Sequence, residues 1–175
     1  KKSLNVPRQD TQEFIIELEK QGELKRVKTE VDQDLEIAEI LRREMYSNGP
    51  AILFENVKGH TMPVLGNAFG SMKRLEIGLE MADFTEIGHR ITDMTKMEMP
   101  SGLLNKIKKL PELSKMTASF PKSQSSGLVT EVTSTDASFD DLPIIKSWPD
   151  DAGRFITLGL IATKHPETGV RNLGV

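Results

Sequence analysis

Paired carboxylates can share acid–base work when burial drives their pKa values apart. The chain offers Asp136, Asp140 and Asp141, then Asp150 and Asp151. All of them sit among Ser, Thr and Pro, the composition of solvated turns, and they read as turn residues. The histidines, His60, His89 and His165, are scattered, and none has a second histidine two to four residues away. Local zinc spacing is therefore absent, and each reads as a surface or packing residue. His89 with Asp93 reads as an i, i+4 pair on a helix face. Ser126 stands in Ser125-Ser126-Gly127, without the G-x-S-x-G spacing of a hydrolase nucleophile. Cysteine is absent, which removes thiolate catalysis, disulfides and cysteine zinc sites.

Three further stretches could hold a ligand. Gly66-Asn67-Ala68-Phe69-Gly70-Ser71 precedes a helical segment, and helix amino ends attract anions. It lacks both the G-x-G-x-x-G and the G-x-x-x-x-G-K-[ST] spacings, and a strand-to-helix turn capped by Ser71 accounts for every residue. Leu142-Pro143-Ile144-Ile145 and Trp148-Pro149-Asp150-Asp151-Ala152-Gly153 bring together the only Trp and two prolines. They read as a rigid corner with Trp148 as a packing anchor. Asn172 lies in a return strand. If the hairpin pairs Thr163 with Val170, Asn172 falls opposite Ile161 and shares a face with Gly159 and Thr157. A strand glycine allows close approach, so that face has room for a ligand. The alternative is a strand-end Asn, and a one-residue slip in register would break the arrangement.

The elements that must position these residues follow from hydrophobic spacing. Residues 10–21 read as a helix, with Asp10 or Thr11 as cap, Phe14, Ile15 and Leu18 on one face, and Gly22 as stop. Residues 23–28 read as a charged edge strand. A second helix begins after Asp32 or Asp34 and carries Leu35, Ile37, Ala38, Ile40, Leu41 and Met45 before Asn48-Gly49-Pro50 ends it. Ala51-Ile52-Leu53-Phe54 is apolar on both parities, as in a strand buried on both faces. Residues 62–65 are a further strand. Ser71 caps a third helix containing Leu75, Ile77, Leu79 and Met81, residues 85–97 a fourth, and residues 103–110 a short basic one. Residues 117–141 turn to Ser, Thr and Asp, which places a domain boundary near 115–125. Residues 155–163 read as one strand, and the hairpin they open is cut within its second strand, so a longer parent protein is expected. The order of elements is α/β or α+β.

Composition narrows the function classes. With 23 basic against 26 acidic residues, the net charge of −3 gives no electrostatic case for nucleic acid or an anionic membrane. No apolar run approaches the roughly 18–20 residues of a membrane span, and the amino end has no signal-like apolar region. A cytoplasmic protein is expected.

Several stretches, in order, resemble one family. Residues 10–27, then Gly49-Pro50-Ala51-Ile52-Leu53-Phe54-Glu55-Asn56-Val57-Lys58-Gly59, then Met62-Pro63-Val64-Leu65-Gly66-Asn67 with Phe69-Gly70-Ser71, resemble the opening of the UbiD-type carboxy-lyases. Leu142-Pro143-Ile144, Trp148-Pro149-Asp150-Asp151-Ala152-Gly153, Phe155-Ile156-Thr157 and Arg171-Asn172-Leu173-Gly174 continue the resemblance. Residues 72–120 match little, and residues 123–134 depart from the family's usual wording.

The resemblance implies an amino-terminal mixed α/β domain over residues 1–120, followed over 121–175 by the opening strands of a split β-barrel that holds prenylated FMN. It implies a reversible, non-oxidative decarboxylase of aromatic or α,β-unsaturated carboxylic acids. Manganese, with potassium nearby, would bridge the cofactor phosphate to the protein. A flavin prenyltransferase would supply the cofactor, and the full-length protein would be a homo-oligomer. In the family's N-x-G-x-Y-R motif, this chain matches Asn172, Gly174 and Val175. Asn172 would give an oxygen to the metal, Val175 would line the flavin through its backbone, and Thr157 would lie near the flavin. The motif's Tyr and Arg, the two downstream glutamates and the other metal ligands are not in this chain. It therefore contains no catalytic residue of the family's Glu-Arg-Glu set. The alternative is a non-catalytic accessory or docking subunit built on the same amino-terminal fold.

Overall fold

The computed structural model describes residues 10–81, 83, 85–95, 125–127 and 130–174. Two compact units divide the chain: Lys1–Ala82 with Ser138–Val175, and Asp83–Ala137.

In the first unit, the Asp10 carboxylate accepts from Glu13 N at 2.9 Å and starts helix α1 (Thr11–Lys20). That side chain satisfies one of the amide donors left open at a helix start. At the other end Glu23 N donates to Leu18 O and Gly22 N to Glu19 O, with Gly22 at φ +73°. This paired closure needs a left-handed residue, which glycine supplies without steric cost. Strand β1 (Leu24–Val27) follows, then helix α2 (Glu36–Tyr46). Asp32 organises the start of α2: its carboxylate accepts from Asp34 N, and its own amide donates to the Glu36 carboxylate.

Strand β2 (Ala51–Phe54) is buried along its whole length. It pairs parallel with β1, Leu24 opposite Ala51, and antiparallel with β3 (Val64–Gly66), Ile52 opposite Gly66. The sheet order β1-β2-β3 leaves β1 on an edge, as its charge predicts. There Arg26 bridges Glu19 (2.7 Å) and Glu55 (2.6 Å).

Alternation along β2 explains the two-faced core. Ile52 and Phe54 join Val31, Ile37 of α2 and Val57. Ala51 instead joins Phe14 and Leu18 of α1 and Ile77 of helix α3 (Met72–Leu79). Helices thus cover both faces of the strand, and each fully buried large side chain contributes about 1.5–3 kcal/mol.

Helix α3 departs from expectation. Ser71 caps it by accepting from Arg74 N (3.2 Å), but the helix ends at Leu79, short of Met81. Leu79 is half exposed, while Arg74 occupies the inner face at 2 % exposure and pairs with Glu23 at 3.0 Å. A long-range acid partner brings inward a residue whose type alone places it outside.

A hairpin of β4 (Ile161–Lys164) and β5 (Arg171–Gly174) forms a separate sheet. The strand expected over 155–163 is shorter at its start. Thr157 and Leu158 form a turn, with Leu158 at φ +60°, and Phe155 N bonds to Ile145 O rather than to a strand partner. Trp148 is also not a packed anchor, since its side chain is mostly exposed. The corner around it is as expected: Asp151 Oδ2 accepts from Trp148 N at 2.9 Å.

In the second unit, Asp83 accepts from Thr85 N at 2.8 Å and opens helix α4 (Thr85–Thr95). The expected helix at 103–110 and the boundary near 115–125 lie outside the described residues. Among the described residues no helix is long and apolar enough to cross a membrane.

Candidate functional site

The hairpin and the segment leading into it carry two of the three residues singled out for a cofactor. Asn172 lies in β5, directly opposite Thr163, and both are exposed. The expected register placed Asn172 opposite Ile161; the structure pairs Ile161 with Gly174 instead. The turn sets this difference. His165 Nδ1 accepts from Glu167 N and Thr168 N, each at 3.2 Å, and His165 N donates to Val170 O at 2.8 Å. With Gly169 at φ +70°, the loop closes on His165 and Val170, two positions tighter than a Thr163–Val170 pairing.

A shift of two preserves the face but not the neighbours. Thr157 lies in the turn ahead of β4, so strand pairing does not set it beside Asn172. Val175 lies outside the described residues.

The surroundings are apolar and open. Phe155, Ile156, Leu158, Leu160, Ile161, Val170 and Leu173 are all more than half exposed, beside the polar side chains of Thr157 and Asn172. These exposed side chains do not enclose a pocket, and Leu173 faces away from Asn172 across the pleat of β5. The fit to a metal is poor. Asn172 and Thr163 offer neutral oxygen donors, acceptable to hard cations. Among the described residues, however, no group of three or more His, Cys, Asp or Glu could hold an ion. The residues present do not by themselves make a manganese site.

Two of the carboxylates and one histidine have structural duties. Asp141 accepts from Ser138 N at 2.8 Å within a capping box around the 3₁₀ turn Phe139–Asp141. Asp151 closes the Trp148 corner, and His165 caps the hairpin turn. Ser126 and Asp136 are exposed; the Asp93 side chain lies outside the described residues. At the Gly66–Ser71 turn, Asn67 donates to the carbonyls of Gly49 (3.1 Å) and Pro50 (3.0 Å), binding the turn to the start of β2. An open apolar groove of about 720 Å³ runs between α2 and the corner, lined by Leu35, Ala38, Leu41, Met45, Ile145 and Trp148. Neither Thr157 nor Asn172 reaches it.

Sequence reading missed one polar cluster. Arg154 binds Asp34 through two bonds, Nε to Oδ1 at 2.9 Å and Nη2 to Oδ2 at 3.1 Å. The guanidinium holds the Asp34 carboxyl below its ordinary value, and Arg154 is raised in return. Gln33, only 6 % exposed, lies between Arg154 and His60. The partners stand 120 residues apart in sequence, so no local spacing could reveal them.

Two domain models of one family match this chain. The 3-octaprenyl-4-hydroxybenzoate carboxy-lyase N-terminal domain matches residues 15–92, and the Rift-related domain of the same carboxy-lyase matches residues 121–175. This chain belongs to the UbiD family.

An uncharacterised protein of Aquifex aeolicus is 46% identical over 169 residues, covering 95% of this chain and 35% of that protein. One from Archaeoglobus fulgidus is 41% identical over 167 residues, covering 95% and 34%. The chain therefore spans about a third of the length of these relatives. Among solved structures, the UbiD-class enzyme HmfF from Pelotomaculum thermopropionicum in complex with FMN is 25% identical, with a TM-score of 0.64, covering 93% of this chain and 32% of that one. An evolved dimeric form of HmfF in complex with prFMN gives 25% identity and a TM-score of 0.63, covering 93% and 34%. The open form of vanillic acid decarboxylase from Sedimentibacter hydroxybenzoicus shares the fold at 22% identity, with a TM-score of 0.68, covering 97% and 34%. The α/β architecture is thus that of the corresponding region of UbiD-class enzymes.

Proposed function

We propose that this chain is the amino-terminal α/β domain (residues 1–120) and the opening of the flavin-binding split barrel (121–175) of a prenylated-FMN-dependent carboxy-lyase. The parent enzyme decarboxylates an aromatic or α,β-unsaturated carboxylic acid, such as a polyprenyl-4-hydroxybenzoate, in the cytoplasm. It takes its cofactor from a flavin prenyltransferase and works as a homo-oligomer. The observation that carries this reading is the match of two UbiD domain models, in order, along one chain. The flavin-bound HmfF structures support the choice of cofactor.

Prenylated FMN, when bound, supplies the electron sink that accepts the charge left by departing CO2. The residues of this chain bind and orient. Thr157 would lie near the flavin and offer it a hydroxyl. Asn172 would offer one amide oxygen to a manganese completed from outside this chain, and Val175 would line the flavin through its backbone. The remaining metal ligands and the proton-transferring groups come from outside this chain, which alone is inactive.

The test expresses the parent gene together with a flavin prenyltransferase and assays CO2 release from a panel of cinnamic, hydroxybenzoic and furoic acids. Cofactor-dependent release by the parent product, and none by residues 1–175, is the expected result. No release from any acid by a product loaded with prenylated flavin contradicts the decarboxylase reading. A native product ending at Val175 favours the accessory-subunit alternative.

A further inference from the structure

A buried amide must find hydrogen-bond partners, and Gln33 finds them on two distant segments. In the amide orientation that satisfies both sides, its nitrogen donates to His60 Nε2 at 3.1 Å and its oxygen accepts from Arg154 Nη1 and Nη2 at 2.8 and 3.0 Å, with His60 Nε2 also 3.0 Å from that oxygen. His60 Nδ1 in turn lies 3.4 Å from the Asp141 carbonyl oxygen. The backbone runs in the same sense. Gln33 O accepts from Lys146 N at 3.1 Å, Leu35 N donates to Lys146 O at 3.0 Å, and Phe155 N bonds to Ile145 O at 3.1 Å. Arg154 is thus gripped along two edges of its planar fork, by the Asp34 carboxylate and by the Gln33 amide. A guanidinium held in this way has little freedom left, unlike a lysine ammonium on the same charge.

We propose that Gln33, Asp34 and Arg154 form a positioning clamp that fixes the Thr157 turn against the β1–α2 loop. Arg154 precedes Thr157 by three positions, so the grip on its side chain sets where the chain leaves the corner and how the turn is presented. None of the three residues touches the cofactor in this account; they act through Thr157. The inference rests on the flavin-facing reading of Thr157 for its purpose but on the hydrogen bonds above for its existence.

The experiment uses the full 175-residue chain in two parts. Amide hydrogen exchange is followed by NMR at Lys146 and Phe155, with the β2 amides as reference. Arg154→Lys and Gln33→Leu should each speed exchange at Lys146 and Phe155 by about tenfold or more, with β2 unchanged, because each removes hydrogen bonds to a charged group. The double variant should add little, as expected of residues in one network. Gln33→Glu keeps an acceptor for Arg154 and should return exchange to within about threefold of the parent. The second part titrates the same proteins with FMN, followed at the Thr157 and Asn172 amides. The clamp predicts binding about tenfold weaker in Arg154→Lys and in Gln33→Leu, and near-parental binding in Gln33→Glu.

Unchanged exchange at Lys146 and Phe155 in Arg154→Lys overturns the clamp. So does parental FMN affinity in a variant whose exchange has risen. If the 175-residue chain shows no FMN-dependent shifts, the same variants are compared in the parent enzyme by flavin content, and unchanged content there overturns the link from the clamp to Thr157.

Discussion

Arg74 shows how a charged side chain can take a buried position on a helix whose Ile77 packs inward as expected. Its guanidinium is buried and shares Glu23 with Lys73, which binds the other carboxylate oxygen at 2.9 Å. The Lys73 hydrogen bond is the larger cause of the lowered Glu23 pKa; desolvation opposes it, and Arg74 adds to it. A carboxylate lowered in the folded state stabilises the fold above its unfolded pKa, and that contribution is lost as pH falls through the folded value. Glu23→Gln should therefore cost roughly 2 kcal/mol at pH 7, the worth of a charge-assisted hydrogen bond in a semi-buried setting. The cost should shrink toward zero below the ordinary carboxylate range, where Glu23 in the parent is itself protonated. Urea unfolding at pH 7 and pH 3 measures this, and an equal difference at both would refute the ion-pair assignment. Asn172 lies at the other extreme. Exposed and opposite Thr163, it should tolerate Asn172→Ala within about 0.5 kcal/mol in this chain. The proposed metal role predicts that the same change in the parent enzyme lowers its manganese content, read by elemental analysis. A large stability loss with full metal content would assign Asn172 a purely structural role.

Strand β2 is apolar throughout and enclosed, whereas the β4–β5 hairpin mixes apolar Ile161, Ala162 and Leu173 with polar residues and is open. Phe54→Ala should cost about 3–5 kcal/mol through lost burial and the cavity left behind. Leu173→Ala should cost less than about 0.5 kcal/mol, since its side chain is already exposed. Thermal unfolding of the two variants separates them, and equal losses would mean that the hairpin belongs to the core. The enclosed elements are also those legible in the sequence. Asp10 and Gly22 bracket α1 by local rules, and the unbroken apolar run of β2 signals burial on both faces. The hairpin was legible as a hairpin but not in register, because the register depends on His165 using its ring nitrogen to cap the turn. The start of β4 was misjudged because Leu158 adopts a left-handed conformation that its residue type disfavours. Arg74 and the Gln33–Arg154 contact were illegible for a different reason. Their partners lie in remote segments, and periodicity carries information only between neighbours in sequence.

At the scale of the whole molecule, the chain carries a closed α/β layer and an open hairpin with an exposed apolar lead-in over residues 155–161, and it spans about a third of its curated relatives. Covering such a hairpin is the natural task of the rest of a barrel, or of a cofactor bound against it. Thr157 and Asn172 are assigned on motif order, and their placement depends on the Leu158 turn and the His165-capped hairpin turn, which local spacing does not announce. The central claim is that the parent enzyme carries a prenylated flavin. Mass spectrometry of the small molecule released from the purified parent product, co-expressed with a flavin prenyltransferase, tests it most directly. The account predicts the mass of prenylated FMN at close to one per chain, and a protein released without any flavin would contradict it.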